Sequence, residues 1–148
     1  MRRVLAFDQS TTTTGWCTFI DNNYNASGVI KTRGSTEDRL MYMAELIAAK
    51  IDDFRPNLVA IEDVFDKNNV ATVVLLARLQ GAIMLHCNEK GIPVKILGPN
   101  TWRKIVGVKK HKREEAKAEA VQLVKNAYGI DVIADEAEAI CIGKACLV

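Results

Sequence analysis

At 148 residues the chain has room for one domain and not two. Its 49% hydrophobic and 26% charged residues exclude a disordered chain and supply one core without disulfides. The formal net charge of +2 says little by itself, but residues 1–74 carry 8 basic and 10 acidic side chains and residues 75–148 carry 12 and 8, so positive charge gathers in the second half.

In chain order, Arg3–Asp8 is a short apolar run ending in a carboxylate and reads as a central strand. Gly15–Ile20 reads as a second strand, Asp21-Asn22-Asn23 as a turn and Ala26–Thr32 as a third strand. Strands this close in sequence are joined by tight turns and must be antiparallel. Ser35 or Thr36 is a helix N-cap, and Leu40, Ala44, Ile47, Ile51 and Phe54 then mark one helical face. Leu58–Glu62 is a second apolar run that ends in a carboxylate. Val70–Asn88 reads as a long helix, apolar nearly all round; one face packs on the sheet and the other wants a partner. Interruptions at Thr72, Arg78 and Gln80 leave it short of a membrane span. Val94–Leu97 is a fifth strand, Thr101–Val106 a short helix, Gly107–Arg113 a basic segment, Glu114–Tyr128 an Ala-rich helix and Asp135–Leu147 a last helix.

This order predicts an α/β fold: a mixed five-stranded sheet, three antiparallel then two parallel strands, with helices on both faces, in a single domain over residues 1–148. Met1-Arg2-Arg3 leads straight into a strand and not into a signal peptide, so a cytoplasmic protein is expected. Cys17, Cys87, Cys141 and Cys146 form no C-x-x-C pair, and His86 and His111 stand far apart; reduced, buried thiols are expected rather than zinc or disulfides.

Four acids carry the chemistry. Asp8 and Glu62 end strands that flank the sheet centre, where strand ends converge on one edge. Asp135 and Glu138 stand three apart on one face of the last helix. Each has a simpler reading alone: Asp8 as a turn residue before Ser10, and the helical pair as acids favoured by a helix N-terminus. Together they suggest a cluster whose mutual repulsion is relieved by hard cations, Mg²⁺ or Mn²⁺. Such a cluster can hold two ions roughly 3.5–4 Å apart, one activating water and one stabilising a leaving oxygen. Between Asn100 and Lys117 lie seven basic residues (Arg103, Lys104, Lys109, Lys110, Lys112, Arg113 and Lys117) against Glu114 and Glu115, which points to a polyanion partner.

V-L-A-F-D-Q-S-T-T-T-T-G-W (Val4–Trp16) resembles the opening strand and turn of RuvC-type Holliday junction resolvases. V-A-I-E-D-V-F (Val59–Phe65) is similar to their second catalytic strand, A-R-L-Q-G-A-I-M-L (Ala77–Leu85) to the helix that follows, Trp102–Val108 to the approach to the basic loop, and D-E-A-E-A-I-C-I-G (Asp135–Gly143) to the closing helix. Gln9-Ser10 replaces the usual Pro-Gly, and Glu138 the usual Asp, as in a phage-like or divergent member. The resemblance implies an RNase H-like fold and Mg²⁺-dependent cleavage (with Mn²⁺ as the alternative) of four-way or other branched DNA, leaving 5′-phosphate and 3′-hydroxyl ends. It implies two ions held by Asp8, Glu62, Asp135 and Glu138, and a homodimer formed through the Val70–Leu85 helix. Arg103, Lys104, Lys109, Lys110, Lys112 and Arg113 would hold DNA phosphates, and Phe65 would stack on an unpaired base; Phe65 also reads as a core residue. Two rival readings are an ATP-handling protein of the actin and sugar-kinase superfamily, through the Asp8–Thr12 turn, and a non-catalytic DNA-binding module.

Overall fold

A computed structural model describes residues 1–64 and 69–148. The elements are β1 (Arg3–Asp8), β2 (Thr13–Ile20), β3 (Asn23–Lys31), α1 (Thr36–Phe54), β4 (Leu58–Glu62), α2 (Val70–Glu89), β5 (Val94–Leu97), α3 (Pro99–Val106), α4 (Arg113–Tyr128) and α5 (Ala134–Lys144). The strands form one sheet in the order β3-β2-β1-β4-β5. β1–β2 and β2–β3 are antiparallel; β1–β4 and β4–β5 are parallel. This is the mixed sheet expected from the element order.

The alternation of side chains along the central strands divides the core in two. Val4, Ala6 and Ala60 point to the face covered by α3, α4 and α5, together with Cys17 and Phe19. Leu5, Phe7, Val59 and Ile61 point to the other face, against Met43, Ile47 and Ile51 of α1 and Leu79, Ile83 and Cys87 of α2. The same parity decides the site. Asp8 follows Val4 and Ala6, and Glu62 follows Leu58 and Ala60, so both carboxylates emerge on the α5 face, while Asp63 is sent the other way.

Local chemistry fixes the ends of the elements. Ser35 caps α1, its hydroxyl accepting from Asp38 N at 3.2 Å, as its residue type predicts. Asp21 and Asn22, at φ 49° and 68°, form a two-residue hairpin turn, and Ile20 pairs with Asn23. β3 therefore begins at the turn and not at Ala26. Pro99 opens α3, because a missing N–H costs nothing in a first turn, and the helix starts two residues earlier than the hydrophobic pattern suggests. All four cysteines are free and buried, and burial pushes the Cys141 thiol up to about 12.

One expectation fails as stated. α2 is long and apolar enough, by length and composition, to cross a membrane, despite Thr72, Arg78 and Gln80. In this fold it lies along α1 and puts Leu79, Ile83 and Cys87 into the core. His86 Nε2 near its end meets Asp52 Oδ1 of α1 at 2.8 Å. Val70, Val74, Met84 and Leu85 remain exposed, on the side of the helix that the core leaves uncovered.

Candidate active site

Phe7 pairs with Ile61 at the end of the parallel β1–β4 ladder, so the next residues, Asp8 and Glu62, leave adjacent strands side by side on one face. Over them comes the first turn of α5. Asp8 stands opposite Gly15 in the β1–β2 ladder, and the backbone of Asp135 rests on that glycine. A Cβ at Gly15 would fall 1.9 Å from the Asp135 carbonyl oxygen, so only glycine admits the helix this close. A second close approach, at Gly143, would put a Cβ 2.7 Å from the Phe19 ring and 3.1 Å from Ala6 Cβ. These two glycines let α5 lie flat on β1 and β2, which is why every residue from Ala137 to Gly143 is buried.

The start of α5 is also tied sideways. Ser27 Oγ on β3 donates to Glu136 Oε2 at 2.5 Å, and Tyr24 Oη lies 2.7 Å from the same hydroxyl. With Glu136 engaged there, Asp135 and Glu138 line the cleft with Asp8 and Glu62. The cleft, about 970 Å³, continues past the Ser10–Thr13 turn and is walled on its far side by Leu75 and Leu76 of α2 and by the start of α3.

Crowding shows in the proton affinities. Burial, then Glu138, Glu62 and Asp135, drive the Asp8 carboxyl well above the ordinary range, with Lys117 opposing. Burial, then the charge of Glu62, lifts Glu138 to about 7 against Lys117 and Arg103. Glu62 is raised by burial, but less freely: Trp102 Nε1 donates to its Oε2 at 2.6 Å, and Arg103 and Arg113 add positive charge. Gln9 braces the same corner. Its Nε2 donates to the Glu62 carbonyl at 2.7 Å, linking the ends of β1 and β4, and its buried Oε1 has no partner among the described residues.

The four acids fit a divalent ion in donor type and in the cleft they share. Among the described residues, however, no three acidic, His or Cys side chains stand close enough together to grip an ion as arranged.

The basic residues divide. Arg103, Arg113 and Lys117 line the cleft with His111. Lys104, Lys109, Lys110 and Lys112 are exposed and lie outside its lining. Phe65 falls outside the described residues. Sequence reasoning counts Lys117 only within the basic run, notes Gln9 only as a departure from the family pattern, and gives Trp102, Gln9 and Gly15 no part in the acidic site. Spacing could have flagged Lys117, one turn beyond Arg113 on α4; the other three depend on neighbours distant in sequence, Glu62 for Trp102 and Gln9, and Asp135 for Gly15.

The family model for crossover junction endodeoxyribonuclease RuvC matches residues 4–144. The crossover junction endodeoxyribonuclease RuvC of Rickettsia bellii (strain RML369-C) is 30% identical, over 98% of this chain and 96% of that protein. Among solved structures, T. thermophilus RuvC in complex with Holliday junction substrate superposes with a TM-score of 0.80 at 20% identity, covering 98% of this chain and 92% of that one. The fowlpox virus resolvase with substrate Holliday junction DNA gives a TM-score of 0.55 at 14% identity, covering 93% of each chain. At these identities the structural matches establish a shared fold.

Proposed function

The chain belongs to the crossover junction endodeoxyribonuclease RuvC family, and from that premise we propose that it hydrolyses phosphodiester bonds in four-way or related branched DNA, with Asp8, Glu62, Asp135 and Glu138 holding two Mg²⁺ or Mn²⁺ ions. The observation that carries this reading is the shared cleft: two strand-end carboxylates and two from α5 face one space, beside three cationic side chains. Bound there, divalent ions supply an activated water and charge neutralisation at the departing oxygen.

The protein's own groups do the rest. Asp8, whose charge is opposed by all three other acids, is the carboxylate central to the cluster. Trp102 holds the Glu62 carboxylate in one orientation through its indole N–H. Lys117 and Arg103 face the acids and balance charge on a phosphate drawn among them. Lys104, Lys109, Lys110 and Lys112 extend this positive surface along the DNA backbone, with Arg103 and Arg113 at its inner edge. Phe65, three residues after Glu62 in the sequence, would supply an aromatic for an unpaired base. The exposed residues Val74, Met84 and Leu85 of α2 support a homodimer through that helix. Two-fold symmetry then sets two sites on strands of opposite polarity. A cytoplasmic location goes with a DNA substrate.

The test is a labelled synthetic four-way junction beside a Y-fork and a linear duplex, in Mg²⁺ and in Mn²⁺. The expected result is paired nicks on the junction that ligase reseals without end repair. Equal cutting of the linear duplex, or no cutting with either metal, would refute the reading.

A further inference from the structure

The segment joining α3 to α4 carries Lys109, Lys110, His111 and Lys112 in succession, with no helix or strand of its own through Lys110. A run of like charges this dense repels itself and tends to extend. Here it is anchored. Gly107, at φ 92°, ends α3 with its N–H on the Arg103 carbonyl at 2.9 Å, and Val108 N–H shares that carbonyl at 2.8 Å. The Val108 side chain is buried in the core. The next two N–H groups meet one carboxylate: Lys109 N donates to Glu119 Oε1 and Lys110 N to Glu119 Oε2, each at 3.0 Å. Both oxygens of Glu119 are thus used, one per amide, in charge-assisted bonds.

The contact is through the backbone. Among the described residues, Glu119 forms no ion pair with a lysine ammonium. The Lys109 and Lys110 side chains stay exposed, and the chain passes on to His111 and Arg113 in the cleft lining. A negative group in a surface meant for DNA is an electrostatic cost unless it does something else. We propose that Glu119 is a positioning residue that holds the basic loop by its backbone, in the conformation that presents the Lys109 and Lys110 ammonium groups to DNA phosphates. This rests on the proposed action on branched DNA.

Charge and position make opposite forecasts, which allows a clean test. Glu119→Gln removes a negative charge, so electrostatics alone would tighten binding; loss of the latch would weaken it. Glu115→Gln, on an exposed acid in the first turn of α4, makes the same charge change without the latch. Binding of a fluorescent four-way junction is measured by anisotropy in EDTA over a salt series, with amide hydrogen exchange on the free proteins. The expected result is binding about tenfold weaker for Glu119→Gln, with a shallower salt dependence, as loss of about one phosphate contact entails. Glu115→Gln should bind as tightly as wild type or more tightly, and only Glu119→Gln should lose protection at the Lys109 and Lys110 amides. Unchanged or tighter binding by Glu119→Gln, or unchanged protection at those amides, would overturn the proposal. Wild-type protein that binds no branched DNA would instead refute the function itself, a separate result.

Discussion

Asp8 and Glu138 are carboxyls held in a form that water would not choose. Their folded-state proton affinities are raised, Glu138 to about 7. The metal-free folded protein therefore keeps protons that the unfolded chain gives up near pH 4 to 5. The favourable contribution is complete below the unfolded value and is lost as pH rises through the folded one. Thermal unfolding in EDTA should show a midpoint that falls between about pH 5 and pH 8, and Asp8→Asn should raise the midpoint at pH 8 by about 5 °C. Mg²⁺ should stabilise wild type more at pH 8 than at pH 5.5. A midpoint independent of pH in EDTA would count against the carboxylate cluster. Trp102 offers a finer probe: its N–H lowers the Glu62 proton affinity. Trp102→Phe should move the acid limb of the pH–rate profile to higher pH, measured at saturating Mg²⁺. At this scale the convergence of the four acids on one cleft was legible, because strand ends and an i, i+3 pair are patterns in sequence. Trp102 and Gln9 were not, since each acts on Glu62 from 40 and 53 residues away.

At the scale of elements, α5 does most to assemble the site, and it does so through two glycines beneath it. Gly15→Ala sets a methyl against the Asp135 backbone carbonyl, which cannot swing aside as a flexible side chain would. The helix must lift, taking Asp135 and Glu138 with it. Urea denaturation should show a loss of about 2–3 kcal/mol, and cleavage should fall far more than junction binding does. A Gly15→Ala protein with wild-type stability and rate would show that α5 need not sit so close. Sequence placed α1 well because Ser35 and the 4-3-4-3 apolar spacing both print its limits. It extended α5 to Leu147, where helix stops at Lys144, because the closing residues remain apolar and Cys146 is still buried in the core. Hydrophobic pattern reports burial, and burial continues past the last helical turn.

Across the whole molecule, charge, cleft and exposed helix belong to one arrangement. Of the basic residues in the second half of the chain, Arg103, Arg113 and Lys117 line the same opening as the acids. The sequence showed the excess but not its division, because one run of residues spans α3, a loop and α4, which turn different residues toward the cleft. The uncovered apolar side of α2 makes a further forecast. If the proposed dimer forms through α2, Leu85→Glu should shift sedimentation from dimer to monomer and convert paired junction cuts into single nicks; a wild type that sediments as a monomer, or a variant that remains dimeric, would contradict that proposal. The most direct measurement of the central idea, that the four carboxylates act together on metal, is Mg²⁺-dependent cleavage of a labelled four-way junction by wild type beside Asp8→Asn. The expected outcome is cleavage by wild type that vanishes without Mg²⁺, and an Asp8→Asn protein that still binds the junction but cuts it at least about a thousandfold more slowly. Wild-type rates from Asp8→Asn, or no cleavage by wild type at any Mg²⁺ concentration, would contradict it.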